Sequence, residues 1–173
     1  MLRGLQSAIA WTSSASEPAQ QVLRNTLRSA CDVIGADAGF TLQTREDAVF
    51  EVACANRLGP TQLLDAVLGR AASALHRALV FGELGLADPA GSALTPDAEA
   101  APAVVALPLD LGQRERGVLC LLRDDGPRGL SELDLEILGA LADQAALALR
   151  ASNQECALSK LAASLNAIGP QPA

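Results

Sequence analysis

The chain has 173 residues, 50% of them hydrophobic and 19% charged, with a formal net charge of −7. One domain of this length buries roughly 70% of the surface its unfolded chain exposes, and the apolar content excludes intrinsic disorder. The excess of 20 acids over 13 bases argues against nucleic acid as a partner; four cysteines without a CxxC pair argue against a disulfide scaffold, and no uncharged apolar run is long enough for a membrane span.

Alanine (34 residues) and leucine (30) favour helices, while aromatics are confined to Trp11, Phe40, Phe50 and Phe81. Flat ligands held by aromatic faces therefore find little to grip. Leu2, Leu5 and Ile9 recur at helical spacing, so residues 2–10 read as a short amphipathic helix. Gln6 and Ser7 interrupt the apolar run an export signal needs, and together with the unpaired cysteines this implies a cytoplasmic location. Residues 11–18 are a serine-rich linker, making 1–18 an N-terminal helix and linker. Ser16 is placed to cap the next helix, where Leu23, Leu27, Ala30 and Ile34 make the apolar face and Gly35 the stop.

Residues 38–43 predict a short apolar strand, and residues 45–47 a turn. Over residues 49–55 the alternation puts Phe50, Val52 and Cys54 on one face, with Glu51 and Ala53 on the other. Residues 61–79 are helical in pattern with an interruption at Gly69, and residues 80–84 suggest a short strand. Residues 85–102 lack periodicity and read as a long loop of the kind that is functional or mobile. The near-continuous apolar runs at 103–109 and 117–122, joined by a polar segment, predict a hairpin covered on both faces. A capping box at Ser131 and Asp134 opens a helix that runs without proline to Ile168.

This order resembles a GAF domain, the small sensor domain of many bacterial signalling proteins. The resemblance rests on IGADAGFTL (residues 34–42), ALHRAL (74–79), VVALPLDLGQRERGVLCLL (104–122) and LSELDLEILGALADQAALAL (130–149). It implies an α+β fold: an antiparallel sheet with the terminal helices on one face and a helix and loop cover on the other. It also implies a sensor domain over 19–150, with 151–173 extending the C-terminal helix for signalling or dimerisation. A pocket beneath the cover is the expected ligand site, and Phe50, Val52, Cys54, His76, Phe81, Val105, Leu107 and Cys120 are its candidate lining.

Specific chemistries find weak support. The family's cyclic-nucleotide signature, Asn-Lys with a later Phe-x-x-x-Asp-Glu, meets only Asn56-Arg57 and Phe81 to Gly85, and it fails at the lysine and at both acids. Bilin-binding members attach the chromophore through a cysteine, commonly beside a histidine; here His76 follows Leu75. One histidine and scattered cysteines do not make a metal set, so neither metal nor cofactor is expected. Cys54 and Cys120 sit in apolar strands that suppress thiolate formation, and Cys31 reads the same way; Cys156, on the outgoing helix, is the more reactive candidate. Arg114 and Arg116 flank Glu115 in the hairpin loop as a solvated turn, and Asp124 and Asp125 are a charge step at a strand end.

The last helix carries the clearest functional pattern. Leu158, Leu161, Leu165 and Ile168 repeat at spacings of three and four, and the register runs back through Gln154, Ala151, Leu147, Gln144, Ala140 and Ile137. A second face of Leu138, Leu141, Ala145 and Ala148 is available for the domain itself. The expectation is a non-enzymatic regulatory domain that binds an unidentified small molecule. It pairs as a homodimer through Leu147, Leu158, Leu161, Leu165 and Ile168, and it relays its state to an output domain or separate partner. The alternatives are a ligand-free dimerisation or protein-interaction module, separable by whether the core is closed, and a free methionine sulfoxide reductase, which needs two cysteines within disulfide reach at the pocket.

Overall fold

The computed structural model describes residues 9–44, 50–98, 100–112, 115–124 and 129–169. In chain order these form β1 (Ile9–Ala10), α1 (Glu17–Ile34), β2 (Ala38–Thr44), β3 (Phe50–Asn56), α2 (Pro60–Leu68) and α3 (Ala72–His76), which continues into a π-helical turn, Arg77–Phe81. Then come β4 (Gly85–Ala87), β5 (Ala93–Leu94), β6 (Val104–Asp110), β7 (Arg116–Leu122) and α4 (Glu132–Ile168). The seven strands make one sheet in the order β1-β3-β2-β7-β6-β4-β5. All neighbours are antiparallel except β1, which runs parallel to the start of β3.

The sheet is closed on both faces, as the unbroken apolar runs require. Along β6 and β7, alternate residues feed two separate cores. Val105, Leu107, Leu109, Leu119 and Leu121 pack with Leu23 and Leu27 of α1 and with Leu138 and Leu149 of α4. Val104, Ala106, Val118 and Cys120 pack with Leu63, Ala71, Ala74, Leu75 and Ala78 beneath α2 and α3. Fully burying a leucine contributes about 1.5–3 kcal/mol, so the leucine-rich layer under α1 and α4 is a strong adhesive. Gly39 lets α1 descend onto β2, since a methyl group there would lie 2.9 Å from Leu27 Cδ1.

The helix caps work as their sequences indicate. Ser16 Oγ accepts from the Ala19 amide, and Gly35 closes α1 in a left-handed conformation at φ 64°. Ser131 and Asp134 form a reciprocal capping box at the start of α4. Arg123, buried just past β7, gathers the surrounding ends. Its guanidinium donates to the Pro102 carbonyl at 2.6 and 2.9 Å and to the Ile34 carbonyl at 3.3 Å, where a cation also meets the negative end of α1.

Four expectations are corrected. Of the helix expected at 2–10, only Ile9 and Ala10 are described, and they form a strand; Ile9 is buried in the core under α2, a demand that local periodicity does not register. Residues 80–84 are not a strand. Val80 and Phe81 belong to the π-helical turn, whose Leu79 and Val80 carbonyls each accept from Arg116 Nη1 at 3.2 Å. The strand begins instead at Gly85. Residues 85–102 are not a free cover, because β4 and β5 within them complete the sheet edge beyond β6. Finally, the alternation in β3 breaks. A bulge opposite Thr41 and Leu42 pairs Thr41 with Cys54 but Leu42 with Val52. Val52 therefore faces α2, while Ala53 and Cys54 both face the terminal helices. The turn expected at 45–47, Arg114 and Asp125 lie outside the described residues.

Candidate functional site

Of the eight candidate pocket residues only Val52 and Cys54 meet, as neighbours in the wall of one cleft along the outer side of β3; the others do not join them. Val52 and Cys120 lie in the core under α2 and α3, whereas Val105 and Leu107 point to the opposite core, with Cys54 packed at its margin. Phe50 is half-buried at the β3 entrance. His76 is exposed on α3 and meets exposed Phe81 edge-on, with ring centroids 5.7 Å apart. The face expected to roof a ligand is filled by the chain's own side chains. Phe40, Leu42 and Leu63 occupy its centre, all nearly inaccessible to solvent. Ala71, Ala74 and Ala78 let α3 lie directly on the sheet. At Gly85 a methyl group would sit 2.8 Å from the Ala74 Cα and closer still to its carbonyl.

Open clefts lie elsewhere. One of about 370 Å³ runs between the π-helical turn and the turn end of the β6–β7 hairpin, with Asp110, Glu115 and Arg116 on its rim. Another of about 310 Å³ lies along the outer side of β3, between Trp11 and Pro60, with Cys54 in its wall.

All four cysteines are free thiols. Burial pushes Cys120 far above the ordinary thiol range, and raises Cys31 and Cys54 as well. Cys120 faces α3, Cys31 and Cys54 belong to the other face, and Cys156 rides on α4. Cys120 has no second thiol beside it on the face beneath α3. Among the described residues, no group of three or more His, Cys, Asp or Glu is placed to hold a metal, and no helix is long and apolar enough to cross a membrane.

The arrangement with most functional content is α4. Its 37 residues span about 55 Å at 1.5 Å per residue. One side, through Leu138, Ala142, Ala145, Leu149 and Ser152, is buried on α1 and the sheet. The opposite side is a stripe in unbroken four-three spacing: Leu133, Ile137, Ala140, Gln144, Leu147, Ala151, Gln154, Leu158, Leu161, Leu165 and Ile168. Every member is exposed. Leu147 is 64% exposed, Leu158 65%, Leu161 56%, Leu165 62% and Ile168 79%. From Ala157 to Ile168 all residues are exposed, so this part of the helix stands clear of its own domain.

Where α4 leaves the domain, a polar set ties it down. Ser152 Oγ accepts from the Ser16 amide at 2.8 Å. Asn153 Nδ2 donates to Gln43 Oε1 at 3.1 Å and to Glu115 Oε2 at 3.0 Å. Gln43 donates in turn to buried Glu51, whose carboxylate also takes the Ser14 amide and hydroxyl at 2.6 to 3.0 Å. These residues link the N-terminal segment, the sheet edge and the outgoing helix. Sequence reasoning missed them; the available signal was a glutamate and a glutamine at inward positions of otherwise apolar strands.

A family model described as GAF domain matches residues 19–151. No curated protein matches the sequence. Among solved structures, the photoproduct state of GAF3 from Slr1393 of Synechocystis sp. PCC6803 aligns at TM-score 0.55 and 18% identity, covering 83% of this chain and 98% of that one. The GAF-B domain of DevS from Mycobacterium smegmatis aligns at 0.54 and 19% identity, covering 81% and 98%. Residues 122 to 287 of a methyl-accepting chemotaxis protein align at 0.55 and 17% identity, covering 79% and 91%. These likenesses concern the fold.

Proposed function

The chain belongs to the GAF domain family, whose members are signalling sensor domains in bacterial proteins, and from that premise we propose that its working element is α4. Two copies pair through the outer stripe of α4, and the paired helices carry the state of the domain to an output domain or a separate partner. The observation that supports this reading is the stripe itself. It holds coiled-coil spacing along the whole helix, while the opposite face is buried in the domain as far as Ser152. Such a helix has two partners, of which the domain is one. The exposed Leu158, Leu161, Leu165 and Ile168 find no apolar cover among the described residues of their own domain, which favours a second partner there.

Sedimentation velocity tests the pairing. The unaltered chain is expected to dimerise, and Leu158→Asp or Leu165→Asp to give monomers whose far-ultraviolet circular dichroism still reports a folded domain. A monomeric unaltered chain at all concentrations refutes it.

Small-molecule sensing is a second reading, favoured by the cleft beside the π-helical turn with Asp110, Glu115 and Arg116 on its rim. π-Turns recur at functional sites. Native mass spectrometry of protein purified from its own host would show a retained adduct, lost in an Arg116→Ala variant. Absence of any adduct and of any ligand-induced rise in Tm leaves the ligand-free dimerisation reading.

A further inference from the structure

We infer that the second copy docks on α4 in parallel and in register, with Arg150 of each helix paired to Glu155 of the other. This rests on the pairing proposed above and specifies its geometry. In heptad terms, Ile137, Gln144, Ala151, Leu158 and Leu165 occupy the first core position. Leu133, Ala140, Leu147, Gln154, Leu161 and Ile168 occupy the second. Arg150 then immediately precedes a first-position core residue, Ala151, and Glu155 immediately follows a second-position one, Gln154. In a parallel in-register coil those two flanking positions, five residues apart, face each other across the seam.

Both side chains are exposed, and neither makes a hydrogen bond or ion pair with another described residue. Twofold symmetry repeats the contact, giving two opposite-charge pairs around the Ala151 and Gln154 layers. The other flanking acids, Glu136 and Asp143, fall opposite Leu141 and Ala148, so no like charges meet.

Among parallel pairings the core layers select the same register. In register, Gln144 and Gln154 each meet their own symmetry mate, where one amide can donate to the other. A slip of one heptad sets Gln154 against Leu147 or Leu161 and moves Arg150 opposite alanine, leaving buried amides and both charges without partners. An antiparallel pairing centred near Leu149 also covers the stripe and sets Gln144 against Gln154, but it brings the two Arg150 side chains face to face and leaves Glu155 opposite Leu141. Only parallel, in-register helices both bury the stripe and pair Arg150 with Glu155.

Sedimentation equilibrium of the full chain tests this with Arg150→Glu, Glu155→Arg and the double exchange. Each single exchange replaces two attractions by two repulsions and is expected to weaken association roughly tenfold at low salt. The double exchange is expected to return to within about threefold of the original. A second readout uses Gln154→Cys in a Cys156→Ser background, where mild oxidation is expected to give a covalent dimer. Ser159→Cys in the same background, on the outer surface, is expected to give none. A dimer whose double exchange is no tighter than the single ones, and whose position 154 does not cross-link, overturns the register while leaving the pairing standing. A monomeric unaltered chain overturns both.

Discussion

On the face beneath α1 and α4 the sheet offers Leu107, Leu109, Leu119 and Leu121 to leucines of two long helices; on the other face it offers Val104, Ala106, Val118 and Cys120 to Ala71, Ala74 and Ala78. Both faces are covered, but the distances of approach differ. Beneath α1 the close approach at Gly39 is to a leucine side chain rather than to helix backbone, and polar groups at the exit of α4 fix where that helix lies. Small side chains instead bring α3 down until its backbone touches β4. A cover that close leaves no room for a ligand between α3 and β4, whereas a layer of leucines could open a cavity by losing one. The difference accounts for a sensor fold whose customary roof is shut and whose outgoing helix is the prominent surface.

The largest expected effect probes the close approach. Gly85→Val drives a side chain into Ala74 and should cost about 4 kcal/mol or more, read by urea denaturation. A cost below about 1 kcal/mol would mean α3 lifts readily, and the contrast between the two faces would fail. Next, Leu149→Ala should cost about 3 kcal/mol and leave a void in the leucine layer. Ser152→Ala leaves the Ser16 amide without its acceptor and should cost about 1–2 kcal/mol. If the outgoing helix is tied only by apolar packing, that substitution will be neutral.

The smallest effect is chemical rather than energetic. Burial disfavours the Cys120 thiolate, so at mildly alkaline pH it should resist iodoacetamide until the domain unfolds. Half-buried Cys54 and Cys156 should be labelled first, which peptide mass spectrometry would resolve. Labelling of Cys120 in the native protein would show that the roof opens on its own.

Much of this was legible before the fold was known. The β6–β7 hairpin is written in two apolar runs that no half-exposed strand would carry, and it appears within a residue of its expected bounds. The capping box at Ser131 and the stripe along α4 are likewise local patterns. The candidate pocket was not legible. Its lining was assigned by alternation along β3, and the bulge at Thr41 and Leu42 sends Val52 and Cys54 to opposite faces. Nor could periodicity announce β4 and β5, because two- and three-residue strands are stabilised by the neighbour they pair with.

By itself, the sequence determined which segments are greasy, where helices start and stop, and that one helix has two apolar sides, because these are properties of residues close together in the chain. Only the tertiary structure decided that the roof is filled, that Ile9 joins the sheet, and that Arg123 and Glu51 are buried among partners. Those outcomes depend on how near two distant backbones can come and on which groups meet there, and neighbours in the chain do not encode that.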